Sequence, residues 1–246
     1  MRKFLTTILL LTASQFATAS EGGPKLMNAD VNLSDRASLQ RGARMFVNYC
    51  VGCHSAGYMR YNRIAQDLGI PEDVMKANLM FTTDKIGEPI ISAMKPADSE
   101  AWFGVTPPDL SVVARSRGTD WLYSFLNGFY VDPKTKTGVN NLYFPGAAMP
   151  HVLWELEGVK SAVFKTETSH EGTSVQVFER FEQQTPGVLK EHEYRRATRD
   201  LVTFLDYMGE PAKLVRYALG AKVIFFLMIF FVAAYLLKRE YWKDVH

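Results

Sequence analysis

Apolar side chains recur at helical spacing in two segments of the chain. In residues 34–50 the apolar positions are Leu39, Ala43, Phe46, Val47 and Cys50. In residues 192–208 they are Ala197, Leu201, Phe204, Leu205 and Met208. Positions three and four apart share one face of a helix, so both segments are predicted to be amphipathic helices. Ser34 or Asp35 can cap the start of the first helix, and Gly209 and Pro211 favour the end of the second.

A longer, almost wholly apolar run follows the second helix. Residues 217–237 contain one charged side chain, Lys222, which lies near the beginning of the run. A helix of about 20 residues spans the roughly 30 Å of a bilayer's hydrocarbon core, and a lysine at its edge can reach the interface. A buried core helix is the alternative, but Lys238 and Arg239 end an otherwise uncharged stretch abruptly. The run is therefore predicted to be a membrane anchor.

The beginning of the chain has the three parts of a secretory signal. Arg2 and Lys3 precede an apolar stretch, which is followed by the small-residue pattern ATA ending at Ala19. We predict a cleavable signal peptide over residues 1–19. A short membrane anchor is the alternative, although the apolar stretch is shorter than the length that spans a bilayer.

The signal peptide also decides the orientation of the membrane anchor. Basic residues are equally numerous on the two sides of the anchor, so their distribution alone favours neither orientation. An exported chain would have an extracytoplasmic domain over residues 20–213, an anchor over residues 214–237 and a short cytoplasmic tail over residues 238–246. We therefore predict a single-pass protein of a bacterial-type inner membrane, with its domain on the periplasmic side.

The rest of the chain is predicted to form one mainly α domain with long loops. Residues 78–141 are rich in loop-forming residues with short helical pieces, and residues 159–181 alternate apolar and polar side chains around a turn, which predicts a β-hairpin without chemistry of its own. The 246-residue chain is 47% hydrophobic and carries a net charge of +2. This charge balance gives no basic footprint for nucleic acid.

The only two cysteines stand in the pentapeptide Cys50-Val51-Gly52-Cys53-His54. A zinc site would need further cysteine or histidine ligands at a recognisable spacing, and none is present in the sequence. A thiol–disulfide active site remains an alternative, although its Cys-x-x-Cys begins a helix, whereas here the pair follows one. The same pentapeptide is the attachment motif of haem c, in which the cysteines form thioethers and the histidine binds iron. We predict one covalently attached haem c, with no catalytic residue.

A second axial ligand of the iron must come from elsewhere in the chain. Met149 lies in the stretch YFPGAAMPH, where prolines stiffen the loop and alanines allow close approach. Methionine sulfur is a common partner of histidine in c-type cytochromes. Met149 is the predicted ligand; His151 and Met80 are its rivals.

The order of motifs resembles a known family. Gly42, Phe46 and the CVGCH motif are spaced as in class I c-type cytochromes, where the glycine lets the C-terminal helix cross closely. The stretches CHSAGYMRYNR, TPPDLSVVARSRG, LYFPGAAMP and VTFLDYMGEP and a terminal membrane helix then follow in the order of the cytochrome c1 family of cytochrome bc1 complexes. The resemblance runs from Ser34 to the end of the chain and gives residues 68–102 no role.

The resemblance implies further site residues and partners. Pro107 and Pro108 would line the haem pocket and Arg115 would pair with a haem propionate, although an exposed arginine on a helix is also ordinary. The chain itself would be an electron carrier rather than an enzyme. It would take electrons from the Rieske iron-sulfur protein, work beside cytochrome b in a dimeric complex, and pass electrons to a soluble or tethered cytochrome c. Another membrane-anchored carrier serving a different terminal enzyme is the alternative.

Overall fold

The computed structural model describes residues 24–168 and 174–243. The predicted signal peptide, residues 1–19, lies outside them. The helices are α1 (Arg36–Met45), a π-helical segment (Phe46–Cys50), α2 (Tyr61–Leu68), α3 (Glu72–Leu79), α4 (Pro96–Phe103), α5 (Val113–Arg117), α6 (Thr119–Leu126), α7 (Trp154–Glu157), α8 (Glu191–Gly209) and α9 (Lys213–Tyr241). The strands are β1 (Ala56–Arg60), β2 (Pro89–Ile90), β3 (Phe129–Val131), β4 (Val139–Asn141), β5 (Gly158–Thr168) and β6 (Ser174–Pro186).

The two predicted amphipathic helices, α1 and α8, are both present and cross each other at Gly42. A Cβ atom added at Gly42 would lie 2.1 Å from the backbone oxygen of Asp200 and 2.7 Å from Cβ of Phe204. Only glycine fits this crossing, because the neighbouring atoms are backbone and the base of a side chain. Asp35, rather than Ser34, caps α1 by accepting a 3.0 Å hydrogen bond from the Ser38 amide.

The core lies around this crossing. The rings of Phe46 and Phe204 stand 5.7 Å apart, and both side chains are almost fully buried. The N-terminal segment adds to the same core, since the buried Ala29 binds Asp120 through its amide and Arg199 through its carbonyl oxygen. Helix α8 thus holds α1, α6 and the beginning of the described chain together.

The strands form three separate antiparallel pairs: β1 with β2, β3 with β4, and β5 with β6. The predicted hairpin is confirmed and is longer than its alternating pattern indicated, because β5 and β6 continue to Gly158 and Pro186. Strand β5 of the hairpin packs on β3, where the ring of Tyr130 lies 6.0 Å from that of Phe164. Helices with small antiparallel sheets confirm the predicted fold class.

Helix α9 carries the apolar run. Within it, Val215–Tyr241 contains an 18-residue window that has a mean hydropathy of 2.3 and is not buried against the rest of the protein, so the helix is long and apolar enough to cross a membrane. Only Glu210, Pro211 and Ala212 separate α9 from α8. Two ion pairs bridge this junction, Lys213 with Asp206 and Arg216 with Glu210. The boundaries at 213 and 237 between domain, anchor and tail stay predictions.

Candidate functional site

The Cys-x-x-Cys-His motif begins at the last residue of the π-helical segment that continues α1. The Val51 amide bonds to the Phe46 carbonyl, five residues back, at 3.0 Å. The chain then turns tightly, because the amides of Cys53 and His54 both bond to the Cys50 carbonyl, at 3.0 and 2.8 Å. Apolar periodicity predicted a helix up to Cys50 but carried no signal for this widened turn.

His54 is oriented by a backbone carbonyl. Its Nδ1 atom lies 2.8 Å from the oxygen of Pro108. A carbonyl oxygen can only accept a hydrogen bond, so Nδ1 carries the proton and the neutral ring has its lone pair on Nε2. Burial lowers the pKa of His54, opposed by the bond to Pro108 and by the charge of Asp109. A neutral imidazole whose other nitrogen donates to a carbonyl is the usual form of a metal-ligating histidine.

Two side chains hold the segment that contains Pro108 against the motif. Asp109 accepts hydrogen bonds from the amides of Gly57, at 2.8 Å, and Ser111, at 2.7 Å. Ser111 in turn accepts a 3.0 Å bond from the Tyr58 amide. The sequence analysis assigned no role to Asp109 or Ser111. Aspartate side chains commonly accept a bond from the amide two residues later, so this local contact had a recognisable signal.

The region without a role from the family resemblance also supports the motif. Strand β2 pairs with β1 directly after His54. Ser92 follows β2, donates to the Gly52 carbonyl at 2.9 Å through its hydroxyl, and donates through its amide to the Ser55 hydroxyl at 2.9 Å. Residues 68–102 therefore contribute to the shape of the cysteine turn.

Both cysteines are free thiols in environments that disfavour ionisation. Cys50 is buried, and burial, with a smaller contribution from Cys53, raises the pKa of its thiol to about 12. Burial also raises the pKa of Cys53, which is partly exposed. Reactive thiols have lowered pKa values, so this is not the electrostatic setting of a nucleophilic cysteine.

Met149 lies in the loop between β4 and α7 and is partly buried. The side chains of Asn140 and Asn141 organise the first half of this loop by accepting hydrogen bonds from loop amides, including that of Gly146 at 2.8 Å. His151, in the second half, is stacked on Phe129 with ring centroids 5.0 Å apart.

The remaining predicted site residues differ in their surroundings. Pro107 is partly buried, while Pro108 is exposed and reaches the motif through its carbonyl oxygen. Arg115 is exposed on α5, and its stem packs beside Gly209, where an added Cβ would lie 3.2 Å from the arginine Cγ. The structure thus joins Cys50, Cys53, His54 and Pro108 directly. Among the described residues, no hydrogen bond links the Arg115 or Met149 side chains to that group.

The crossed helices and the Cys-x-x-Cys-His turn are the arrangement of a c-type cytochrome. Comparison with known proteins identifies the family. The model of the cytochrome C1 family matches residues 28–170 and 189–245. The chain belongs to the cytochrome c1 family, which makes it a c-type cytochrome of electron transport.

Several known proteins match this chain along nearly its whole length. The chain is 48% identical to cytochrome c1 of Allochromatium vinosum over 246 residues, with full coverage of both proteins. It is 26% identical to cytochrome c1 of Rhodospirillum rubrum, covering 99% of this chain and 97% of that protein. It is also 44% identical to a protein of Nitrosomonas europaea named ammonia monooxygenase gamma subunit, covering 100% of this chain and 99% of that protein.

Proposed function

We propose that the chain carries one haem c, attached by thioethers from Cys50 and Cys53, with His54 and Met149 as the axial ligands of its iron. The observation that carries the proposal is the 2.8 Å hydrogen bond from His54 Nδ1 to the Pro108 oxygen. This bond fixes the ring and leaves Nε2 as the coordinating atom. Each thioether forms when a thiol adds across a haem vinyl group, its sulfur to one carbon and its proton to the other.

The residues around the motif fit such a group. The thiols are unpaired with each other, and apolar side chains close to the motif are exposed, among them Tyr58 at 83% and Ile91 at 48%. An apolar macrocycle would cover surface of this kind. Pro107 and Pro108 would contribute a stretch of the pocket wall that lacks amide donors, and Arg115 would pair with a propionate.

The thiol–disulfide alternative has less support. Such enzymes place their first cysteine at a helix N-terminus, where the thiolate is stabilised. Cys50 instead lies at the end of a helix, is buried, and has a pKa raised to about 12. These surroundings favour a thiol that serves as an attachment point.

Met149 has more support as the second ligand than its rivals. His151 is 9% exposed, stacks on Phe129 and directs Nε2 toward Glu157. Met80 is 8% exposed within the main core. Among the described residues, Met149 is neither paired with a charged group nor part of the main core. Its sulfur would favour ferrous iron and raise the reduction potential of the haem.

The activity that follows is one-electron transfer. The haem supplies the redox change, and the chain's residues hold it, orient it, exclude water and set its potential. We propose that electrons arrive from the Rieske protein of a dimeric cytochrome bc1 complex containing cytochrome b, and leave to a cytochrome c. Helix α9 would anchor the chain in a bacterial inner membrane with the haem domain in the periplasm.

A second candidate is favoured by one relative. The Nitrosomonas europaea protein, at 44% identity, is named as a subunit of ammonia monooxygenase. A carrier of the same fold serving another membrane enzyme would share the haem site and differ in its partners.

The test is a pyridine haemochrome spectrum of the chain purified from membranes by a C-terminal tag, before and after acid-acetone extraction. A c-type signal that resists extraction, together with extractable b-type haem and a Rieske centre, supports the proposal. A c-type signal alone supports the second candidate. Absence of haem with two titratable thiols would return Cys50 and Cys53 to thiol chemistry.

A further inference from the structure

A buried ionic cluster lies immediately after Met149. It consists of His151, Glu157 and Lys160, whose side chains are 9%, 10% and 8% exposed. His151 Nε2 stands 2.8 Å from one Glu157 oxygen, and Lys160 Nζ stands 2.5 Å from the other. Nothing in the proposed electron transfer uses these groups as donors or acceptors of protons.

The facing atoms of His151 and Glu157 have no other polar partner among the described residues. Both Nε2 of His151 and Oε2 of Glu157 are buried, and neither has a hydrogen-bond partner in the described part of the chain. Each is therefore the available electrostatic partner of the other at 2.8 Å. The imidazole is also fixed from its face, because it lies nearly parallel to the Phe129 ring, with an interplanar angle of 8°. One ring is thus held in both position and orientation.

The cluster continues into the core. Lys160 Nζ donates to the Asn127 carbonyl at 2.7 Å and lies 4.3 Å from the centre of the Phe181 ring. The Asn127 side chain donates to the Thr198 hydroxyl, at 3.1 Å, on α8. Helix α8 is the helix that crosses α1, which ends in the cysteine motif. An unbroken set of contacts therefore connects His151 to the crossed helices α1 and α8, of which α1 leads into the cysteine motif and His54.

Burying an ion pair is expensive, and such pairs add little net stability compared with apolar side chains of similar size. A fixed geometry is what they supply, because breaking one leaves an uncompensated charge. Burial lowers the pKa of Lys160, while Glu157 opposes that shift, so the lysine depends on this carboxylate. The carboxylate in turn has one oxygen for Lys160 and one for His151.

We infer that His151 is the positioning residue for Met149: its ring, held by Phe129 and by the Glu157–Lys160 pair, fixes the end of the loop and thereby where the sulfur lies. Asn140 and Asn141 fix the other half of the same loop. The inference rests on the proposed role of Met149 as axial ligand. In this arrangement His151 would act through Met149 rather than as an iron ligand.

The test uses the full-length haem-loaded protein with His151→Gln, which keeps a polar group but loses the stack, and His151→Phe, which keeps the stack but loses the contact to Glu157. His192→Gln, at an exposed histidine on α8, is the matched control. Two readouts report on the sulfur: the absorbance band at about 695 nm of the oxidised protein, and carbon monoxide uptake by the reduced protein. A merely structural role would move neither at equal haem content.

We expect both His151 variants to lose part of the band and to bind carbon monoxide about tenfold more tightly, the factor that corresponds to about 1.4 kcal/mol. His192→Gln should match the parent protein. If the His151 variants accumulate no haem protein, Glu157→Gln, which retains the shape of the cluster, should show the same changes to a smaller extent.

Met149→Leu separates the two levels of the argument. A band that persists in Met149→Leu would overturn the ligand proposal itself. A band that is lost in Met149→Leu but is unchanged in His151→Gln, His151→Phe and Glu157→Gln would leave Met149 as the ligand and overturn only the role of His151.

Discussion

The hydroxyl of Tyr207 donates a 2.8 Å hydrogen bond to the carboxylate of Asp67, a residue 140 positions earlier in the chain. The same carboxylate oxygen accepts a 2.6 Å bond from Arg63. Tyr207 is fully buried on α8, whereas Asp67 and Arg63 lie on α2. This bond therefore joins α2, the helix that follows the cysteine motif, to α8, the helix that crosses α1 at Gly42.

The Tyr207–Asp67 contact makes stability depend on pH in the alkaline range. Burial, reinforced by Asp67, raises the pKa of Tyr207, so the folded protein keeps the phenol protonated where the unfolded chain has lost the proton. The stabilisation is complete below the ordinary tyrosine pKa of about 10 and declines above it, by at most about 1.4 kcal/mol per pH unit for one phenol. We expect Tyr207→Phe to make this alkaline decline less steep, as measured by urea unfolding of the full chain in detergent between about pH 9 and pH 11.

Tyr241→Phe is the control for that measurement, because Tyr241 is 76% exposed at the C-terminal end of α9 and lies far along the chain from the cysteine motif. Its alkaline slope should equal that of the parent protein. At neutral pH, Tyr207→Phe should cost only about 0.5–1.5 kcal/mol, since Asp67 keeps its bond to Arg63. Equal slopes for all three proteins would show that the Tyr207 proton does not contribute.

Gly42→Ala is expected to destabilise the haem domain by about 1–3 kcal/mol or more, because the added methyl group would overpack a backbone contact. The new Cβ would lie 2.1 Å from the Asp200 oxygen, so α1 and α8 would have to separate. Helix propensity alone predicts the opposite sign, a gain of about 1 kcal/mol. Thermal unfolding distinguishes the two. Gly87→Ala, where an added Cβ meets nothing within 4 Å, should change stability by less than about 0.5 kcal/mol.

The sequence was most informative where one local pattern determines one local structure. Apolar spacing predicted α1 and α8, and alternation predicted the hairpin. The position of Gly42 at the helix crossing was implied by the family resemblance and is confirmed. Contacts between distant segments left no such pattern. The bond from the Gly57 amide to Asp109 depends on a loop meeting strand β1, and only the fold brings them together.

The cluster around His151 shows the same limit. His151 stood out in the sequence as a rival iron ligand because histidine is a common ligand type. Its pairing with Glu157 and its stack on Phe129 require β3, α7 and the intervening loop to be in place. Neither partner lies at a spacing that a helix or strand pattern would connect to His151.

Asp109→Ala is expected to raise the reduction potential of the haem by about 20–60 mV, where 59 mV is a tenfold change for one electron. The variant removes the bonds to the Gly57 and Ser111 amides that hold the Pro108 carbonyl near His54. A weaker bond at Nδ1 makes the imidazole a poorer donor and so stabilises oxidised iron less. Redox titration measures the shift. Asp84→Ala, at an exposed aspartate, should titrate like the parent protein, and an unchanged or lowered potential in Asp109→Ala would contradict the role of the Pro108 carbonyl.

The ion pair between Lys213 and Asp206 is expected to fix the membrane helix relative to the haem domain. Both carboxylate oxygens of Asp206 accept bonds from Lys213 Nζ, at 3.0 and 2.8 Å, and the Asp206 side chain is only 8% exposed. Hydrogen bonds between charged groups at partly buried sites contribute about 1.5–3 kcal/mol each. Asp206→Asn should therefore speed hydrogen exchange of the amides in residues 210–216 by about tenfold or more, the factor for about 1.4 kcal/mol.

The other end of the same helix supplies the control. Lys243 and Glu240 form a longer pair, at 3.4 Å, between side chains that are 68% and 71% exposed. Pairs of this kind contribute little, so Glu240→Gln should leave exchange near residue 240 unchanged. Similar exchange in Asp206→Asn and in the parent protein would mean that the short connection through Pro211 holds the junction without the ion pair. Faster exchange would mean that the Lys213–Asp206 pair itself holds the first turn of α9 against the end of α8.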